Sequence, residues 1–140
     1  MTRWRWLALL ALALFAALVI VAPAGVPDTM IFGYSPQYPV DFIAGLGGDL
    51  GRLKASVAID MIVPMVLTVV LILPLGGGAR LPAIGYMFAD YLENIALYRF
   101  YFLGADVPVN LSLVSQIKWA LVALAVIVLV RALGRARRLP

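Results

Sequence analysis

Four stretches of this chain are apolar for about as long as an α-helix must be to cross a bilayer. They fall at residues 6–22, 55–75, 81–103 and 110–130. Roughly 20 apolar residues span a ~30 Å hydrocarbon core as a helix. Lipid offers no partner to an unpaired backbone group, so such segments cross it as helices. Composition agrees: 64% of the 140 residues are hydrophobic and only 13% are charged, where a soluble domain has about half and about a quarter. The expected fold is all-α, a single integral membrane domain over residues 1–140. It is a four-transmembrane-helix bundle, with a short outer-side amphipathic helix in the 23–54 segment between helices one and two.

The amphipathic helix is read from "SPQYPVDFIAGLGGDLGRLK". Ser35 is placed as its N-cap and Pro36 as its first helical residue. Val40, Phe42, Ile43 and Leu46 supply an apolar face. Gly47 and Gly48 stop the helix, and Asp49 caps the next. The first apolar segment has a second reading as a signal sequence, with "MTRWRW" as its basic region and Ala22-Pro23-Ala24 as a cleavage site.

Charge sets the expected orientation. With four spans, Arg3, Arg5, Arg80, Arg131, Arg135, Arg137 and Arg138 share one side, and Arg52, Lys54 and Arg99 the other. The positive-inside rule then puts both termini in the cytoplasm of a bacterium, with the protein in its inner membrane. Arg52, Lys54 and Arg99 become candidate contacts for lipid headgroups. The basic residues cluster at span ends, so the net charge of +4 does not signal nucleic acid.

The chain has no cysteine and no histidine. That removes disulfides, thiol and imidazole catalysis, and the usual zinc, copper and haem ligands. No cofactor is expected. Chemistry is left to carboxyl, lysine and hydroxyl groups, and these occupy unusual places. "FADYLENIALY" puts Asp90, Glu93 and Asn94 at i, i+3 and i+4 inside the third span, on one helix face. Arg99 lies about opposite Asp90 on that wheel. Asp60 sits in the second span and Lys118 in the fourth, after Ser112, Ser115 and Gln116. Pro64 removes the amide that would bond the carbonyl of Asp60. In the four-span topology this polar set lies between the midplane and the outer leaflet, while the inner half is nearly all apolar.

Three acids and a lysine in hydrocarbon cost on the order of 10 kcal/mol if isolated. They must pair, face water or bind something. One reading is structural: Asp90, Glu93 and Asn94 bond Lys118, Gln116 and Ser115 and fix the helix register. Another is a pocket on Asp60, Asp90, Glu93, Asn94 and Lys118 that binds a lipid-like or small amphipathic ligand, with membrane lipids as partners. A third is an accessory or assembly subunit, joined to a larger membrane complex or to copies of itself. A fourth is a lipid-modifying enzyme using an acid–carboxylate pair. The three acids also offer oxygen ligands to a divalent cation, but no phosphate-substrate motif accompanies them, and no metal is expected.

"LGGDLGR" (46–52), "DMIVP" (60–64) and "DYLEN" (90–94), taken with Lys118, resemble a pattern of small four-helix bacterial integral membrane proteins of uncharacterised function. The resemblance covers about residues 34–120. It implies that helices two, three and four are the working unit and that helix one is more variable. In that pattern a tyrosine often follows the arginine by about three residues, where this chain reads "LKAS".

Overall fold

The computed structural model describes residues 3–136. Arg137 and Arg138, counted above for orientation, lie outside the described residues. Secondary structure among those residues is entirely helical: α1 (Arg3–Val21), α2 (Tyr38–Gly45), α3 (Leu50–Asp60), α4 (Val63–Ile72), α5 (Leu81–Leu103) and α6 (Leu111–Ala136), with short 3₁₀ turns at Pro27–Thr29 and Gly77–Arg80.

Among the described residues, two helices are long and apolar enough to cross a membrane: Leu50–Ile72, formed by α3 and α4 together, and Leu111–Ala132 within α6. Trp6–Val21 is an apolar helix too, but shorter. α5 covers the same residues, 81–103, as the third expected segment. It has 23 residues, about 34 Å of helix. Proline in its first turn suits a position whose amide has no intrahelical acceptor. Gly104, at φ +66°, ends it in the left-handed conformation that a side chain disfavours.

The boundaries of the second span need correction. Helix begins at Leu50 rather than at residue 55, because "LGRLK" is helical although polar. The span is also interrupted at Met61 and Ile62, directly after Asp60, whose carbonyl Pro64 cannot serve. The fourth helix continues past residue 130 to Ala136. The amphipathic helix exists but starts at Tyr38, so Pro39 rather than Pro36 occupies its first turn. Neither its N-cap Gln37 nor Asp49 ahead of α3 makes a side-chain capping bond.

α5 packs most extensively on α6, then on α4, while α1 lies along α3 and α4. Small residues let α5 and α6 approach. Ala83 and Ala125 have no exposed surface and meet Leu71 in an apolar core that Leu67, Ile72 and Leu129 extend. A Cβ at Gly85 would lie 3.3 Å from Leu121. The tight α4–α5 connection is held by Arg80 Nε, which donates to the Leu75 carbonyl at 2.6 Å, and Thr68 Oγ1 donates to Ala83 O at 3.2 Å. At this end the core is apolar, and the polar groups gather towards the other.

Candidate functional site

The polar residues of three helices converge. On α5 the i, i+3, i+4, i+7 set Asp90, Glu93, Asn94 and Leu97 is buried as one stripe. Lys118, in the first half of α6, reaches it. Its ammonium lies 2.8 Å from Glu93 Oε2 and 3.3 Å from Asp90 Oδ1. The lysine is 2% exposed and Glu93 fully buried. One buried cation is thus shared by two buried carboxyl groups. Arg99 is exposed and takes no part, as its place on the helical wheel requires.

Asn94 ties the third element in. Its Nδ2 donates to Asp90 Oδ2 at 3.0 Å and to the Asp60 carbonyl at 3.4 Å. That carbonyl is the one Pro64 cannot serve. The helix break therefore has a local cause and a local remedy: α5 supplies the donor that α4 lacks. Tyr91, on the adjacent flank, donates to the Met61 carbonyl at 3.0 Å, so both carbonyls beside the break are engaged from α5.

One contributor was not anticipated. Tyr34 OH donates to Glu93 Oε1 at 3.1 Å. Tyr34 belongs to residues 30–34, an irregular strap that crosses the start of α6. The Tyr34 amide donates to Ser112 Oγ at 2.8 Å, Gln116 Nε2 to Phe32 O at 3.1 Å, and Ser115 Oγ to Met30 O at 3.4 Å. Ser115 and Gln116 therefore do not serve the acids of α5, as the structural reading expected. They hold the strap, because its carbonyls and amide have no helix to satisfy them. Gly33, at φ +84°, is required there: a Cβ would run into Gln116 and Ser112. The tip residue Phe32 is 93% exposed.

Of the three residues expected at headgroups, Arg52 bonds the end of α1. Its Nε and Nη2 donate to the Val21 and Ile20 carbonyls at 3.3 and 3.2 Å, a C-terminal cap that also suits the helix dipole. Lys54 is exposed and lies 5.9 Å from the centroid of the Phe102 ring.

A cavity of about 210 Å³ opens beside the cluster, between α1, α4, α5 and α6. Asp60, Asp90, Lys118, Tyr86 and Thr29 supply its polar wall, and Phe15, Leu18, Val19, Leu67, Trp119 and Val122 the apolar remainder. A smaller space of about 30 Å³ adjoins it at Ala22, Thr29 and Asp60 and continues to Asn94 and Ser56. Glu93 lines neither: it lies behind Lys118 as the buried counter-ion. The Trp119 ring centroid is 5.4 Å from the Lys118 ammonium, and its buried Nε1 finds no acceptor among the described residues.

No family model matches the chain, and neither a curated protein nor a solved structure is significantly similar to it.

Proposed function

We propose that this chain is a four-span protein of a bacterial inner membrane that holds a small amphipathic or lipid-like molecule between its helices. The observation that carries the reading is the mixed lining of the 210 Å³ cavity, which brings Asp60, Asp90 and Lys118 together with aliphatic and aromatic side chains. Ligand pockets combine an apolar enclosure with a few convergent polar groups, and ionisable residues at membrane depth mark such sites. Size limits the occupant. An apolar cavity of about 150 Å³ takes benzene, so this one suits a ring-sized or short-chain body rather than a whole phospholipid.

The four-span reading draws on the outer surface. Leu12, Val19, Ile20, Leu92, Leu113, Leu124, Ile127 and Val130 are all exposed, and apolar surface of that extent belongs against lipid or protein. α1 and α5 would join the two longer apolar helices as spans, α5 shielding its acids inside the bundle. The arginine asymmetry then leaves both termini cytoplasmic. Kinship with the small four-helix bacterial membrane proteins belongs to the same proposal.

The test is native mass spectrometry of the protein extracted in mild detergent, beside Ala22→Trp, which fills the space next to Asp60. The wild-type chain is expected to retain a small non-protein mass that the variant loses while still folding. An identical set of bound species in both would overturn the pocket.

A further inference from the structure

On one side of the helix break α5 packs well on α4; on the other it meets α3 only sparingly. There α3 and α5 leave a groove of about 370 Å³ between them. Lys54, Val57, Ala58 and Met61 line it from the α3 side, and Tyr98 and Phe102 from α5. It shares no lining residue with the cavity beside Lys118.

One end of the groove is cationic and the rest apolar. The Lys54 ammonium lies 5.9 Å from the Phe102 ring centroid, the long limit of the attraction between a cation and a ring. An ammonium carries three donors, and among the described residues no acceptor takes one from Lys54. No acidic residue lines the groove, so its positive charge is unopposed there. Val57, Ala58 and Met61 follow Lys54 at i+3, i+4 and i+7, on one helix face. The rings of Tyr98 and Phe102, with centroids 5.1 Å apart, form the facing wall. From Lys54 to Met61 is about 10 Å of helix, within the ~15 Å of hydrocarbon that one leaflet provides.

That layout selects its occupant. A free anion would meet Lys54 and leave the apolar strip bare. A zwitterionic headgroup would bring its ammonium to a site with no carboxylate to receive it. A negative headgroup on an acyl chain satisfies both parts, since lysine beside a membrane attracts anionic lipid and the strip runs along the chain. We propose that the groove between α3 and α5 holds a phospholipid of net negative headgroup, its phosphate on Lys54 and one acyl chain along Val57, Met61 and Tyr98. This rests on the four-span reading, which sets the groove against lipid, and is independent of the cavity.

The protein is reconstituted in vesicles of equal parts phosphatidylglycerol and phosphatidylcholine, extracted in mild detergent, and its bound lipid identified by native mass spectrometry. The wild-type chain is expected to retain phosphatidylglycerol about fivefold over phosphatidylcholine, the effect of one lysine at an anionic headgroup. Lys54→Gln is expected to abolish that preference, and Ala58→Trp, which fills the groove, to lower the retention of phosphatidylglycerol. Arg99→Gln is expected to leave the preference unchanged; a loss equal to that of Lys54→Gln overturns the site in favour of general surface charge. The wild-type ranking decides even if a variant fails to fold. Equal retention of the two lipids by the wild-type chain, or an undiminished preference in Lys54→Gln, overturns the proposal. So does displacement of the lipid by inorganic phosphate, which makes the ligand a free anion. An alkaline carbonate wash of the same vesicles separates the two levels. A chain that stays in the vesicles without preferring the anionic lipid loses the site alone, whereas a chain that washes off loses the four-span reading with it.

Discussion

Replacing Lys118 by methionine keeps most of the side chain's volume and removes its charge, which isolates what the shared cation does. The Nζ contacts at 2.8 and 3.3 Å correspond to gross attractions of about 6 and about 5 kcal/mol at an effective dielectric of ~20. Burial offsets much of that in the wild-type chain, where the lysine side chain is 2% exposed, Asp90 4% and Glu93 not at all. The variant keeps the two buried carboxyl groups and loses their common partner. Removing one member of a buried ion pair costs about 3–5 kcal/mol, and that is the expected loss. A matched variant combines Lys118→Met with Asp90→Asn and Glu93→Gln. It removes both carboxylates together with the cation they share, so it is expected to recover most of the loss, as neutral replacements of buried ion pairs commonly do. The assay is equilibrium unfolding in mixed micelles by titration with a denaturing detergent, followed by far-ultraviolet circular dichroism. A single variant within about 1 kcal/mol of wild type, the range of an exposed pair, would refute the account. So would a triple variant no more stable than the single one.

The helix break and the strap give two more expectations. Asn94→Leu removes the amide that bonds Asp90 Oδ2 and the Asp60 carbonyl, at about 1–3 kcal/mol. In a Pro64→Ala background the restored amide can serve that carbonyl, so the penalty of Asn94→Leu is expected to shrink; an unchanged penalty would mean that Asn94 does not compensate for the proline. Gly33→Ala is expected to lift the strap from α6, and Ser112→Ala to remove the acceptor of the Tyr34 amide. Both should speed hydrogen–deuterium exchange at Tyr34 while leaving α5 amides protected. Exchange at wild-type rates in both variants would show that the strap is not held by these contacts.

The part of the site legible in the sequence was the part governed by helical period. Asp90, Glu93 and Asn94 share a face because 3.6 residues per turn puts i, i+3 and i+4 together, and an apolar segment that carries three such groups must turn them inward. Lys118 was the one cation in an apolar stretch able to meet them, and Pro64 identified the carbonyl left over. What the period does not encode is the path of an irregular segment. Tyr34 comes to Glu93 through a strap fixed by its own backbone bonds, and no spacing rule connects positions 59 residues apart.

A trace of the strap was nonetheless present. Ser112, Ser115 and Gln116 form another i, i+3, i+4 polar set, one turn from Lys118 and at the N-terminal end of α6. Lys118 and Asn94 serve the acids of α5, and this second set finds its partners elsewhere. A loop that carries unpaired carbonyls and a glycine able to pass close to the helix is the structure that meets the need. The helix boundaries erred for a related reason. Apolar runs mark what suits hydrocarbon, whereas a helix continues wherever its backbone bonds do, and so α3 begins five residues ahead of the apolar stretch and takes in Arg52 and Lys54. Those turns carry Arg52 to the last carbonyls of α1. The polar extension of the second span thereby joins the first helix to the bundle, and α1 closes the side of the cavity that Leu18 and Ala22 line.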